Sequence, residues 1–235
     1  MQCVILAGGL GTRMSRFTKG LPKALVPVNG VPFLRYKLEQ LADNGVQDVL
    51  ISVGYLGEAI VEEVRNFCPS KMTVQCVFDG PELLGTGGAL RRISALGKLD
   101  ETFMVTFGDN FLTCDHSRVR DAFDPKNFDG LMTVCSRELA SEIGNCRISG
   151  HYVIEYRKNC TEAGFEWVDY GLSVMKRSVI DDVLEVGSPS DLSDVLGRLA
   201  RTRRLQATVV GERYLEIGSE DGLAELQDFL NRTES

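Results

Sequence analysis

A four-residue apolar run, Cys3-Val4-Ile5-Leu6, opens directly into Ala7-Gly8-Gly9-Leu10-Gly11-Thr12-Arg13, and this junction constrains the chain more than any other feature. A short apolar run ended by glycines reads as a buried strand entering a turn. Three glycines in four positions let backbone N–H groups turn inward and approach a ligand closely, which suits a string of phosphates. Arg13 sets a permanent, forked cation beside that loop, and Lys23 adds a compact, mobile one ten residues on. A tight turn with no ligand would account for the glycines. It would not account for Arg13, Pro22-Lys23 and Pro27 at their spacing.

Two other glycine loops are excluded by the residues themselves. A Walker A loop requires Gly-Lys followed by Ser or Thr, and the only Gly-Lys pair here, Gly97-Lys98, is followed by Leu99. A dinucleotide fingerprint begins at Gly9-Leu10-Gly11 but meets Met14 where its third glycine belongs.

The first half of the chain alternates apolar runs with amphipathic stretches. Strands are expected over 3–6, 49–53, 72–78 and 103–107, and helices over 33–44, 58–67 and 87–99. Such alternation predicts an α/β fold with βαβ units and a Rossmann-like, mostly parallel sheet flanked by helices. Ligands of such sheets bind outside the carboxyl ends of the strands, so the glycine loop and the Gly108-Asp109-Asn110 turn are expected on one edge. The second half reads differently, with strands over 131–136, 146–148, 152–156 and 168–175. It is expected to form a mixed or antiparallel lobe that walls the other side of a cleft. Helices over 190–201 and 220–231 flank a strand over 205–210, with Ser190 as the expected N-cap of the first. No repeat, low-complexity tract or linker divides residues 1–235. The expectation is a single domain, with about 1–130 as one half and about 131–235 as the other.

Charge narrows the partners. A net charge of −7 argues against nucleic acid, whose backbone needs a basic surface, while a local pocket of Arg and Lys can still hold a small anion. No run reaches the length of a membrane span and no signal-peptide pattern precedes the first strand, so a cytoplasmic protein without a membrane partner is expected. The seven cysteines show no C-x-x-C or metal-finger spacing and read as reduced, mostly buried thiols. His116 and His151 belong to no cluster.

Residues 6–28 resemble the N-terminal signature of the sugar-1-phosphate nucleotidyltransferases, L-A-G-G-x-G-T-R followed by P-K-x-L-x-P-V. The similarity continues through Asn29-Gly30-Val31-Pro32-Phe33-Leu34, Leu84-Gly85-Thr86-Gly87-Gly88-Ala89, Phe107-Gly108-Asp109-Asn110 and Leu215-Glu216-Ile217-Gly218-Ser219, in the family's order. The short heptose and mannose guanylyltransferases are the members most similar in feel. The resemblance implies Mg²⁺-dependent transfer of a nucleotidyl group from an NTP to a sugar 1-phosphate, with release of pyrophosphate. It implies that Arg13, Lys23 and Asp109 are catalytic, and that Leu6, Ala7, Gly8, Gly9, Gly11, Thr12, Arg13, Lys23, Gly85, Thr86 and Asp109 bind nucleotide. Asp109 and Glu216 would hold Mg²⁺, and Asn110, Gly144, Glu155, Lys158 and Asp169 would face the sugar phosphate.

The residues bear on these roles directly. A carboxylate at a strand end beside phosphates suits Mg²⁺, which binds through one or two carboxylates plus phosphate oxygens, although Asp-Asn is also a common turn pair. Glu216 stands where the family usually has Asp, so its reach differs by one methylene. Asp169 replaces the usual Asn of N-x-G with a carboxylate acceptor. Uridylyltransferases of this family often carry Gln just before a similar L-G-T-G, where it reads the pyrimidine. Leu83 occupies that place, which together with Gly87-Gly88-Ala89 favours GTP. Asp79 or Glu82 would accept from guanine's N1–H and N2–H₂. Two alternatives remain open, the same reaction with UTP, CTP or dTTP and a silent nucleotide-sugar-binding regulatory homologue; assembly as a homo-oligomer is compatible with each. A glycosyltransferase sharing the fold would carry an Asp-x-Asp motif, which Asp109-Asn110-Phe111 is not.

Overall fold

The computed structural model describes residues 1–9, 20–80 and 82–233. The expected ligands Gly11, Thr12 and Arg13 lie outside the described residues.

Strand β1 (Cys3–Leu6) is buried along its whole length. Cys3 and Ile5 point into one apolar cluster, Val4 and Leu6 into a second. Side chains alternate across a strand, so an unbroken apolar run needs cover on both faces, and helices supply it. After β1 come β2 (Pro27–Val28) and β3 (Val31–Pro32), a hairpin turned by Asn29 and Gly30 at φ 49° and 82°. An Asn-Gly pair with both residues left-handed is the turn chemistry a two-residue hairpin favours. The chain then alternates through α1 (Phe33–Asp43), β4 (Asp48–Val53), α2 (Gly57–Asn66), β5 (Thr73–Phe78), α3 (Gly85–Ala95) and β6 (Thr102–Phe107). Next are β7 (Asn110–Phe111), α4 (His116–Ala122), β8 (Gly130–Ser136), α5 (Arg137–Ala140), β9 (Cys146–Ser149), β10 (Tyr152–Tyr156) and β11 (Trp167–Lys176). The order ends with α6 (Arg177–Val183), α7 (Leu192–Arg201), β12 (Leu205–Val209), β13 (Leu215–Glu216) and α8 (Glu220–Thr233).

Nine strands form one sheet in the order β5-β4-β1-β6-β11-β8-β12-β10-β9. The first four are mutually parallel, as their alternation with helices predicts. The second half does not stand apart as a separate wall. Strand β11 pairs antiparallel with β6 from Leu172↔Thr106 to Lys176↔Thr102 and carries the sheet straight across the midpoint of the chain. Only β12 against β8 is parallel beyond it, and β10 and β9 close the edge antiparallel. Helix α1 helps to cover one face, with Leu34, Leu38 and Leu41 in the cluster that includes Ile5. Helices α3, α6 and α7 cover the other through Leu90, Ile93, Ile180, Val195 and Leu196. A third cluster seats α8 on the small hairpin through Val28, Phe33, Ile217, Leu226 and Leu230. It holds β13 beside β7, and that two-strand ladder carries the second expected metal carboxylate.

Candidate active site

The parallel pairing of β1 with β6 brings the turns after both strands to one edge, as expected. Gly108 N donates to Leu6 O at 3.0 Å. A Cβ on Gly108 would fall 3.0 Å from the Cβ of Ala7, so glycine allows the two turns to touch. A cleft of about 490 Å³ opens there. Its walls include Leu6, Ala7, Gly8, Gly9, Lys23, Ser52, Asp79, Gly85, Thr86, Asp109 and Lys158.

Lys23 begins a single 3₁₀ turn, Lys23–Leu25, after Pro22. Its ammonium donates to Asp109 Oδ2 at 2.7 Å. Both side chains keep a face toward the cleft, Asp109 more so at 41% exposure. Glu216 reaches the same neighbourhood because it pairs with Asn110 in the β7–β13 ladder, where Ile217 N donates to Asp109 O at 3.0 Å. Its carboxylate is turned onto Gly218 N and the Ser219 hydroxyl, and it does not line the cleft. A Cβ on Gly218 would fall 2.7 Å from Lys23 Nζ, so this loop, Lys23 and Asp109 form one charged corner. Two carboxylates with only hard oxygen donors suit Mg²⁺. No group of three or more His, Cys, Asp or Glu is gathered for a metal among the described residues.

The Gly85–Gly88 turn lines the cleft but differs from expectation in its donors. Gly87 N and Gly88 N both donate to Ser190 O, at 2.9 and 3.3 Å, so those two amides at the start of α3 are committed to the protein. Leu192 N donates to the Thr86 hydroxyl at 2.8 Å. Ser190 is consequently not the N-cap of α7. Its carbonyl serves α3, its buried hydroxyl has no partner among the described residues, and Asp191 takes the cap by accepting from Ser193 N. Asp191 also pairs with Lys158 across the cleft mouth.

Of the residues expected at the sugar phosphate, only Lys158 lines this cleft. Asn110 is buried beneath it and holds Lys37. Glu155 sits between Arg147 and Arg157. Gly144 packs so tightly on the Phe165 carbonyl that a Cβ would clash with it, a steric reason for glycine at that place. Asp169 accepts from Tyr156 Oη and Gly171 N, and burial raises its pKa.

Asp79 stands out among residues the sequence offered as base readers. It is 6% exposed, accepts from Ser52 Oγ at 2.6 Å through one oxygen, and turns the other toward Gly8. Burial raises its pKa, against the opposing pull of the Ser52 hydrogen bond and the Arg92 charge. Glu82, the other candidate, is exposed and lies outside the cleft lining. Sequence reasoning missed Lys37 altogether. Its burial leaves no local mark, because Gln40 and Asn44 share its helical face and the run reads as an ordinary polar stripe.

Known proteins fit this geometry. Residues 3–167 match the MobA-like NTP transferase domain family. The chain is 36% identical over 121 residues to D-glycero-alpha-D-manno-heptose 1-phosphate guanylyltransferase of Campylobacter jejuni, covering 51% of this chain and 52% of that protein. It is 26% identical over 239 residues to mannose-1-phosphate guanyltransferase of Debaryomyces hansenii, covering 99% of this chain and 64% of the other. Glucose-1-phosphate cytidylyltransferase of Salmonella typhimurium is 33% identical over 135 residues, 49% of this chain and 52% of that one. These matches span about half to two thirds of the curated relatives' own length. In fold, the chain superposes on HddC from Yersinia pseudotuberculosis, solved in complex with GMP-PN, with a TM-score of 0.81 at 24% identity over 97% and 99% of the two chains. With a match across most of its length and a glycine-lined cleft at the carboxyl ends of its parallel strands, the chain belongs to the MobA-like NTP transferase family.

Proposed function

We propose that this protein transfers a nucleotidyl group from an NTP to a sugar 1-phosphate and releases pyrophosphate. The observation that carries the reading is the Lys23–Asp109 pair on the wall of the cleft, beside Gly8 and Gly9 and facing Lys158. In this reaction a sugar-phosphate oxygen attacks the α-phosphorus as the bond to the β-phosphate breaks. That oxygen is already ionised at neutral pH, so alignment and charge neutralisation suffice and no strong base is required. Gly8 and Gly9 let the polyphosphate approach the backbone. Lys23 neutralises charge at the attacked phosphate, Arg13 does so on the departing pyrophosphate, and Lys158 receives the sugar phosphate. Asp109, joined by Glu216 once its side chain turns from Gly218, would hold Mg²⁺, which supplies Lewis-acid stabilisation of the α-phosphate. Residues 1–235 act in this reading as one catalytic unit. A cytoplasmic setting suits the seven unpaired cysteines, and no described helix is long and apolar enough to cross a membrane.

GTP is the proposed nucleotide. Guanine alone among the bases sets two adjacent donors, N1–H and N2–H₂, on its base-pairing edge, which suits a buried carboxylate acceptor, and Asp79 is such a group in the cleft lining. The names of the Campylobacter and Debaryomyces relatives point the same way, and that of the Salmonella relative keeps CTP as the second reading. Pyrophosphate release measured for GTP, CTP, UTP, dTTP and ATP against a panel of sugar 1-phosphates tests both levels. Preference for CTP would overturn the base assignment alone. No release with any pair, together with retained nucleotide-sugar binding, would favour a silent regulatory protein.

A further inference from the structure

Lys37 and Gln40 of helix α1 and its C-cap Asn44 stand at positions i, i+3 and i+7, which share one helical face. Each is spent on residues 106–116, from the end of β6 to the start of α4. Lys37 Nζ, fully buried, donates to Asn110 O at 2.8 Å, Asn110 Oδ1 at 3.0 Å and Thr106 Oγ1 at 3.1 Å. Gln40 Nε2 donates to Leu112 O at 2.7 Å, and Asn44 Oδ1 accepts from His116 N at 2.8 Å. A lysine with no exposed surface is rare, and here all three of its donors are used on two residues of one short segment. The side chain of Asn110 has room on its other side only because residue 171 is glycine, where a Cβ would collide with the amide nitrogen. Asn110 in turn adjoins Asp109 and pairs with Glu216 across the β7–β13 ladder.

We infer that Lys37 is a positioning residue, which acts through Asn110 to set the Asp109 turn and the β13 strand bearing Glu216. Gln40 and Asn44 continue the same seam away from the cleft. A charged donor on the Asn110 carbonyl fixes the backbone one residue beyond the carboxylate, and an apolar residue there would take that donor away and leave Asn110 Oδ1 with only the Thr106 hydroxyl at 3.3 Å. The inference deepens the functional reading given above, and its principal test needs no substrate.

The Ile217 amide donates to the Asp109 carbonyl, so its hydrogen exchange reports how firmly the turn is held. In Lys37→Met, which replaces the stem with an unbranched apolar one, exchange at Ile217 and across 108–112 should accelerate about tenfold or more, while exchange in β4 and β5 stays at the native rate. Where the protein turns over, kcat should fall about 10–100-fold with the NTP KM within about threefold, the range seen when a group supporting a metal ligand is lost. Gln40→Met should give a smaller effect and Asn44→Ala the smallest, a ranking by distance from Asp109 that general destabilisation would not produce. Native exchange at Ile217 in Lys37→Met overturns the inference, as does a kcat loss that follows melting temperature across the three variants. If Lys37→Met does not fold, Gln40→Met decides by the same exchange measurement, and a native rate there overturns the inference. Absence of turnover in the unmodified protein would fall on the functional reading, and the exchange result would still decide the role of Lys37.

Discussion

Asp109 leans on Lys23 at 2.7 Å, and each side chain has a different consequence when its charge is removed. Asp109→Asn keeps the shape and loses only charge. It should lower pyrophosphate release by roughly a hundredfold or more, a scale typical of losing one preorganised electrostatic partner, with an unchanged circular dichroism spectrum. Lys23→Ala should also damage turnover, and a variant changed in stability alone would make Lys23 structural. If Arg13 meets the departing pyrophosphate as proposed, Arg13→Ala should lower kcat far more than nucleotide affinity. His116 supplies a residue-scale prediction about pH. Its imidazole is buried, neither ring nitrogen has a partner among the described residues, and burial together with the Lys37 charge pulls its pKa down to about 4, against a weaker opposing pull from Asp115. The unfolded chain therefore binds more protons than the folded one between about pH 6.5 and 4, and stability falls as pH falls through that window. The full difference is roughly 3 kcal/mol from the size of the shift. His116→Leu strands no side-chain partner among those described, so melting curves at pH 4.5 and pH 7 should lie closer together than in the native protein.

At the scale of elements, the start of α3 and the start of α7 are latched together through Ser190 O and Thr86 Oγ1, and Asp191 serves two masters. It caps α7 and holds Lys158, the lysine facing the cleft from the second half of the chain. Asp191→Ala should cost about 1 kcal/mol in stability from the lost cap and should raise the KM for sugar phosphate as Lys158 loses its anchor. Asp191→Asn keeps a capping oxygen and should restore the stability without restoring the KM. Urea titration and steady-state kinetics on the two variants separate the effects. The sequence pattern located α7 correctly but named Ser190 as its cap. Either residue is a good N-cap by type, and the choice was made by the carbonyl of Ser190, drawn to two glycine amides about a hundred residues away.

For the molecule as a whole, the long sheet is clamped at one end by Asp129. Its carboxylate accepts from Arg204 Nε at 2.8 Å, Arg204 Nη2 at 2.9 Å and Lys176 Nζ at 2.8 Å, tying the entries of β8 and β12 to the end of β11. The Arg204 and Lys176 hydrogen bonds outweigh desolvation and hold its pKa down to about 2. The stabilisation is complete above the ordinary Asp range and is lost as pH falls from about 4 through about 2. Asp129→Asn should lower unfolding free energy at pH 7 by roughly 1–2 kcal/mol, allowing for the solvent that still reaches the pair, and should have no effect beyond error at pH 2. Arg204 is thus a structural clamp.

Local pattern was enough for the nine strands of the main sheet, the helices α1, α2, α3, α7 and α8, the parallel half and the edge on which ligands are expected, though not for the short strands β2, β3, β7 and β13 or the short helices α4, α5 and α6. Each of these rests on short-range physics: alternation of apolar side chains and glycines that permit a close turn. The pairing of β11 with β6 was not legible, because β-pairing is decided by partners far apart in the chain, and the second half consequently joined the first sheet instead of facing it. Lys37 marks the same boundary. Nothing within ten residues distinguishes it from a surface lysine, and it is buried because Asn110, 73 residues on, offers it two acceptors. Gly144 is a further case, a glycine that resembles a ligand contact in the sequence and is explained in the fold by the Phe165 carbonyl lying against it. Periodicity and turn chemistry are encoded residue by residue, whereas buried polar partners exist only once the chain has closed around them.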